Sequence, residues 1–144
     1  MGTQKEKNEK LVQIMKQWQE VEDASIRSTS DILKKTKNPI VHMVMEIIRQ
    51  DSANHRKVQQ LIIDNYEKAA FELNPEELVE FWDMVEEHDE IEKKTIHLAK
   101  EALRETNSAL VSYLLNYLLT DEKKHDDLLD EMSRIKNGMY PYGS

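Results

Sequence analysis

The sequence predicts an all-α fold, an antiparallel four-helix bundle built from two repeated helical hairpins, and three observations lead there. Only three glycines and three prolines occur in 144 residues, beside abundant Glu, Lys, Leu, Ile and Met, a strongly helix-favouring composition. Two Asn-Pro pairs, Asn38-Pro39 and Asn74-Pro75, divide the chain as helix starts do. The chain also superimposes on itself at an offset of 70 residues. Val21 falls on Ile91, Ile26 on Ile96, Leu33 on Leu103, Val41 on Val111 and Ile62 on Met132, so one apolar frame is used twice.

The first helix is expected over 5–36 and ends before Asn38, which caps the next with Pro39 in its first turn. The second, over 39–71, stops at the next Asn-Pro pair. Asn74, Pro75 and Glu77 open the third, over 75–105, with the spacing of a capping box. Thr106-Asn107-Ser108 breaks it and caps a fourth helix over 108–136. Asn137-Gly138 is a stop signal, which leaves Met139 to Ser144 as a tail. Connections this short make consecutive helices antiparallel neighbours. The expected organisation is one domain over 1–144, with repeat halves at about 5–72 and 75–138.

Each helix carries an apolar stripe at helical spacing, interrupted near its middle by polar groups. In the first it runs Leu11, Met15, Trp18, Glu22, Ser25, Thr29, Ile32; in the second Val44, Ile48, Asp51 or Ser52, His55, Val58, Ile62. The third gives Leu78, Phe81, Val85, His88, Glu92, Thr95, Ala99, and the fourth Val111, Leu114 or Leu115, Leu118, Glu122, His125, Leu129, Met132. Measured from the breaks, these interruptions lie within four residues of one level, or about 6 Å at a rise of about 1.5 Å per residue. His42 and His97 fall outside that layer and face outward. Trp18, Phe81, Trp82, Tyr113 and Tyr117 read as core or interface, and Glu86-Glu87 and Lys123-Lys124 as solvated faces.

Charge and composition exclude several classes. A net charge of −8 with no basic stripe argues against nucleic acid, which is bound largely through Lys and Arg. No cysteine is present, so disulfides, zinc-thiolate sites and iron–sulfur clusters are out. The start lacks an apolar signal region and no stretch approaches the roughly 20 apolar residues of a membrane helix, so no membrane partner and a cytoplasmic location are expected.

Ionisable groups in an apolar layer each cost several kcal/mol when unpaired. A bound cation removes that cost, with a metal-free network of salt bridges and hydrogen bonds as the alternative, and nitrogen and oxygen donors without sulfur suit iron, manganese or zinc. Glu22 superimposes on Glu92, and the segment Asp51-Ser52-Ala53-Asn54-His55 on Asp121-Glu122-Lys123-Lys124-His125. This order, a Glu on the first helix, x-x-His on the second, Glu on the third and Glu-x-x-His on the fourth, resembles the ferritin-like (rubrerythrin-like) di-iron carboxylate superfamily. The resemblance spans all four helices. It implies Glu22, His55, Glu92, Glu122 and His125 as metal ligands, with Asp51 and Asp121 accepting the imidazole N–H of the histidine from the opposite repeat.

Three departures from that pattern are visible. Ser52 stands where the superfamily's second bridging Glu belongs, the second and third helices are joined by almost no connection, and His88 lies one turn before Glu92 where the repeat has Trp18. The His88-x-x-x-Glu92 pair is an additional chelate and is similar to sites of hemerythrin-like oxygen binders, which use more histidines. The resemblance favours iron or manganese, one or two ions. It implies a metal-binding protein, with a non-haem oxidoreductase acting on dioxygen or peroxide as the active form and an external redox partner as its reductant. A non-catalytic helical scaffold that has lost its metal chemistry is the alternative that Ser52 motivates. Leu110, Tyr113, Leu114, Leu115, Tyr117, Leu118 and Leu119 make the fourth helix apolar on more than one side, which predicts a homodimer.

Overall fold

The computed structural model of the chain describes residues 2–72 and 74–138. Four helices account for nearly all of them: α1 (Gln4–Lys35), α2 (Pro39–Glu67), α3 (Pro75–Arg104) and α4 (Ala109–Lys136). The all-α class is as the sequence predicts, and helices pack in pairs, α1 on α2 and α3 on α4. Two compact units result, Met1–Phe71 and Glu72–Ser144, and they divide between the halves that the 70-residue offset superimposes. The expected tail from Met139 onward lies outside the described residues.

The predicted starts are real caps. The Asn38 side chain accepts from the backbone N–H of Ile40 and Val41, Asn74 from Glu76, and Ser108 from Val111. Each cap satisfies donors that a helix start leaves unpaired, and Pro39 and Pro75 need no partner of their own. Thr3 caps α1 in the same way, its side chain accepting from the Glu6 N–H. The stop at Asn137-Gly138 is also real, with Gly138 at φ 72, a conformation that only glycine adopts without steric cost.

One boundary differs. α2 ends at Glu67 rather than at residue 71, although Ala69 and Ala70 favour a helix. The Asn65 side-chain oxygen accepts the Phe71 N–H at 2.7 Å, a local bond that draws the chain out of the helix.

In the first hairpin the contacts run antiparallel. Lys16 pairs with Glu67 at 2.9 Å, Gln19 donates to the Arg56 carbonyl and to Gln60, and Ser25 meets Ser52 at 2.8 Å. Its apolar core is Val12, Met15 and Ile63, with Leu11 and Ile62 packed against them. The inward face of α1 therefore passes through Val12 and Gln19; Trp18, expected on the stripe, is half exposed. On α2 the buried residues are Ser52, Gln59 and Ile63, one position on from the expected Val58 and Ile62, and Val58 is exposed.

In the second hairpin Leu78, Trp82 and Ala99 are buried, while Phe81 is exposed. Lys136 of α4 sits 4.9 Å from the centre of the Trp82 ring, and the indole N–H donates to Glu86. This cation–aromatic contact closes the end of the hairpin where α3 begins and α4 finishes.

Candidate metal centre

The middle of each hairpin holds the polar layer, and positions 70 apart make matching contacts. Glu22 Oε2 lies 3.6 Å from His55 Nδ1 in the first hairpin, and Glu92 Oε2 lies 3.4 Å from His125 Nδ1 in the second. Ser25 touches Ser52, and in the equivalent place Thr95 Oγ1 lies 2.9 Å from Glu122 Oε2. With Ser52 where the second hairpin has Glu122, the first hairpin makes the matching contact through two hydroxyls and no carboxylate.

The second hairpin brings the richer donor set together. One ligand atom each from Glu92, Glu122 and His125 lie within 4.8 Å of one another. His125 Nδ1 is 3.7 Å from Glu122 Oε2, beside the 3.4 Å to Glu92. Donors around a four-coordinate cation at about 2.1 Å stand about 3.4 Å apart, so little movement would close this set on an ion. Glu92 is the anchor: its side chain is only 8% exposed, and its Oε2 is buried without a hydrogen-bond partner. An orphaned carboxylate oxygen facing an imidazole and a second carboxylate fits a cation in chemistry as well as in spacing.

The electrostatics of the cluster are those of crowded carboxylates. The close Glu92 carboxylate, helped by burial, pushes the Glu122 carboxyl above its usual range, while the Thr95 hydroxyl opposes the shift. Glu92 is held below its usual range, first by Glu122 and then by His88 and His125, against the effect of burial. The pair thus behaves as two carboxyls competing for one proton, the condition a divalent ion relieves.

Three further side chains border the set. His88 Nε2 lies 2.8 Å from Glu92 Oε1, one turn away on α3, with its ring 58% exposed. The resemblance set Asp121 against the histidine of the opposite repeat; in the structure its Oδ2 lies 3.3 Å from Nε2 of His125 on its own helix, and it also pairs with Lys124. Thr95, a stripe residue of α3, steadies Glu122. Its signal was present, because Thr95 falls on Ser25 at the 70-residue offset and both positions are hydroxyls.

The first hairpin places Glu22 and His55 together but offers less. Glu22 is buried with its Oε2 unpartnered, His55 is exposed, Ser52 is buried and Asp51 is half buried. The outward histidines are as expected, His42 exposed and His97 exposed beside Glu101.

A second acidic group was not anticipated. Asp89, Asp126 and Asp130 bring an oxygen each within 4.8 Å of one another, and Asp89 and Asp130 line an open cleft with Trp82 and Lys93. The positions 70 residues earlier are Gln19, Arg56 and Gln60, where Gln19 bonds to the Arg56 carbonyl and to Gln60, and the Arg56 guanidinium pairs with Asp23. Asp126 is pushed up to about 6, first by Asp89 and then by burial.

Comparison with protein-family models, with curated proteins and with solved structures finds no match to this chain. Among the described residues no helix is long and apolar enough to cross a membrane.

Proposed function

We propose that this chain is a metal-binding helical protein, of ferritin-like type, whose cation is held in the second hairpin by Glu92, Glu122 and His125. The observation that carries the proposal is the buried, unpartnered Glu92 Oε2, with a carboxylate and an imidazole nitrogen at ligand spacing beside it. Leaving such a cluster without a counter-ion costs free energy, and an ion removes that cost. Iron or manganese fits the oxygen and nitrogen donors, and zinc satisfies the same set.

Within this proposal the residues have separate tasks. Glu92 supplies a fixed oxygen from a buried position, Glu122 a second one steadied by Thr95, and His125 a neutral nitrogen oriented by Asp121 at its far ring nitrogen. Bound iron or manganese would supply redox chemistry toward dioxygen or peroxide, with electrons from an external partner. The 70-residue echo belongs to the proposal as a duplicated hairpin whose two copies have diverged in donor content. So does self-association through the exposed α4 row of Leu110, Tyr113 and Leu118; a monomer mass by light scattering across micromolar concentrations would remove that part.

The test is metal content. Protein purified from cells grown with added iron or manganese should carry metal, and a Glu122→Ala, His125→Ala double variant should lose it. Equal and near-zero metal in both would overturn the proposal. It would favour the second reading, a helical scaffold without metal chemistry, which the Ser25–Ser52 contact supports because two hydroxyls occupy the first hairpin's place for a ligating carboxylate.

A further inference from the structure

We infer that the second hairpin holds a single divalent ion with four of its own side chains, with exposed His88 turning in as the fourth ligand beside Glu92, Glu122 and His125. The inference rests on the metal-binding reading above and adds nuclearity and a ligand to it.

Charge sets the number of ions. Glu92 and Glu122 are the two carboxylates of the cluster, and two carboxylates neutralise one divalent cation. A second ion in the same place would leave two positive charges uncompensated next to a side chain that is 92% buried, an arrangement as costly as the bare carboxylates it would replace. The first hairpin does not make up the difference for an ion of its own. It offers one carboxylate, Glu22, and one imidazole, His55, and where the second hairpin has Glu122 it has Ser52, already engaged with Ser25.

Geometry supplies the fourth donor. Three protein donors fill half of the six positions of an octahedral ion such as Mn2+, so a fourth side chain can join them and still leave positions for water or substrate. His88 is on α3 at four residues from Glu92, the spacing that stacks two side chains on one helix face. Its Nε2 already contacts Glu92 Oε1, while Glu92 Oε2 faces His125 and Glu122, so Glu92 stands between His88 and the rest of the donors. With more than half of the ring in solvent, a rotation about the His88 side chain meets little packing, and the neutral imidazole adds a donor without changing the charge balance. The first hairpin has Trp18 at this position, which cannot ligate.

The experiment uses the full chain and Mn2+ as the probe. Titration followed by electron paramagnetic resonance should end at one ion per chain, with the six-line spectrum of an isolated Mn2+, and spin-echo modulation should report two imidazole nitrogens. His88→Ala, a change at an exposed position, should keep the fold and weaken Mn2+ binding about tenfold or more, in line with losses at metal-supporting residues. It should also reduce the imidazole signal to one nitrogen, and added free imidazole should restore part of the affinity. Two exchange-coupled ions per chain, or His88→Ala binding within twofold of the wild type with both nitrogens retained, would overturn the inference and leave the metal reading standing. Absence of Mn2+ binding by the wild-type chain would overturn both.

Discussion

Asp126→Asn in the metal-free chain should stabilise the protein at neutral pH and leave it unchanged in acid. Asp126 faces Asp89 across the α3–α4 contact, with an Oδ1 on each side chain that is buried without a partner, and its carboxyl is pushed up from 3.8 to about 6. The sign follows from proton binding: a carboxyl whose folded-state pKa is raised binds its proton more tightly folded than unfolded. The stability it confers is fully present below about pH 3.8 and is lost as pH rises through about 6. A rise of about two units corresponds to about 3 kcal/mol at about 1.36 kcal/mol per unit. Asp126 is only half buried and Lys93 opposes the shift, so solvent screening reduces this to about 1–2 kcal/mol. Asparagine keeps the shape, has a similar helix propensity and has no charge to lose. Urea unfolding of the chelator-treated chain, followed by helical circular dichroism, should show the variant more stable by that amount at pH 7.5 and equal to the wild type at pH 3.5. A gain of the same size at both pH values, or none at pH 7.5, would refute the reasoning.

Three other outcomes are expected. Ile63→Ala removes the most enclosed residue of the first hairpin's core, 2% exposed against Val12 and Met15, and should cost about 2–5 kcal/mol in urea unfolding. Asn38→Ala leaves the N–H groups of Ile40 and Val41 without their cap and should cost about 1 kcal/mol, whereas Asn38→Gly should cost only a few tenths. Saturating the chain with Mn2+ or Fe2+ to a hundred times its Kd should raise the unfolding free energy by about 2.7 kcal/mol, and the Glu122→Ala, His125→Ala variant should show no such rise by thermal melting.

The helices were legible because their ends are written in side chains that bond locally. Asn38, Asn74 and Ser108 each cap the helix that follows them, and Gly138 takes the one positive φ among the described residues. The end of α2 was not legible, since the bond from Phe71 to Asn65 spans six residues and leaves no compositional mark. Facing directions were only partly readable. A stripe drawn through Trp18 and Val58 maximises apolar content, but the helix pair buries Gln19, Ser52 and Gln59 instead, because the amide and hydroxyl groups of Gln19 and Ser52 find partners there. The Glu22–His55 and Glu92–His125 contacts fall on positions 70 apart, so the offset that aligns the residues also aligns these contacts. The acidic group of Asp89, Asp126 and Asp130 escaped notice because its members echo Gln19, Arg56 and Gln60, residues with no metal chemistry to draw attention. The charge-reversed echo is instructive: Asp23 pairs with Arg56 at 2.9 Å, while the equivalent positions hold Lys93 and Asp126, whose attraction survives with its signs exchanged.

X-ray diffraction from crystals soaked in Mn2+ or Fe2+, collected on both sides of the metal absorption edge, tests the metal centre most directly. The account predicts one anomalous peak per chain, at ligand distance from Glu92 Oε2, Glu122 Oε2 and His125 Nδ1. A map with no peak there, in crystals whose soak reaches other surface carboxylates, would contradict it.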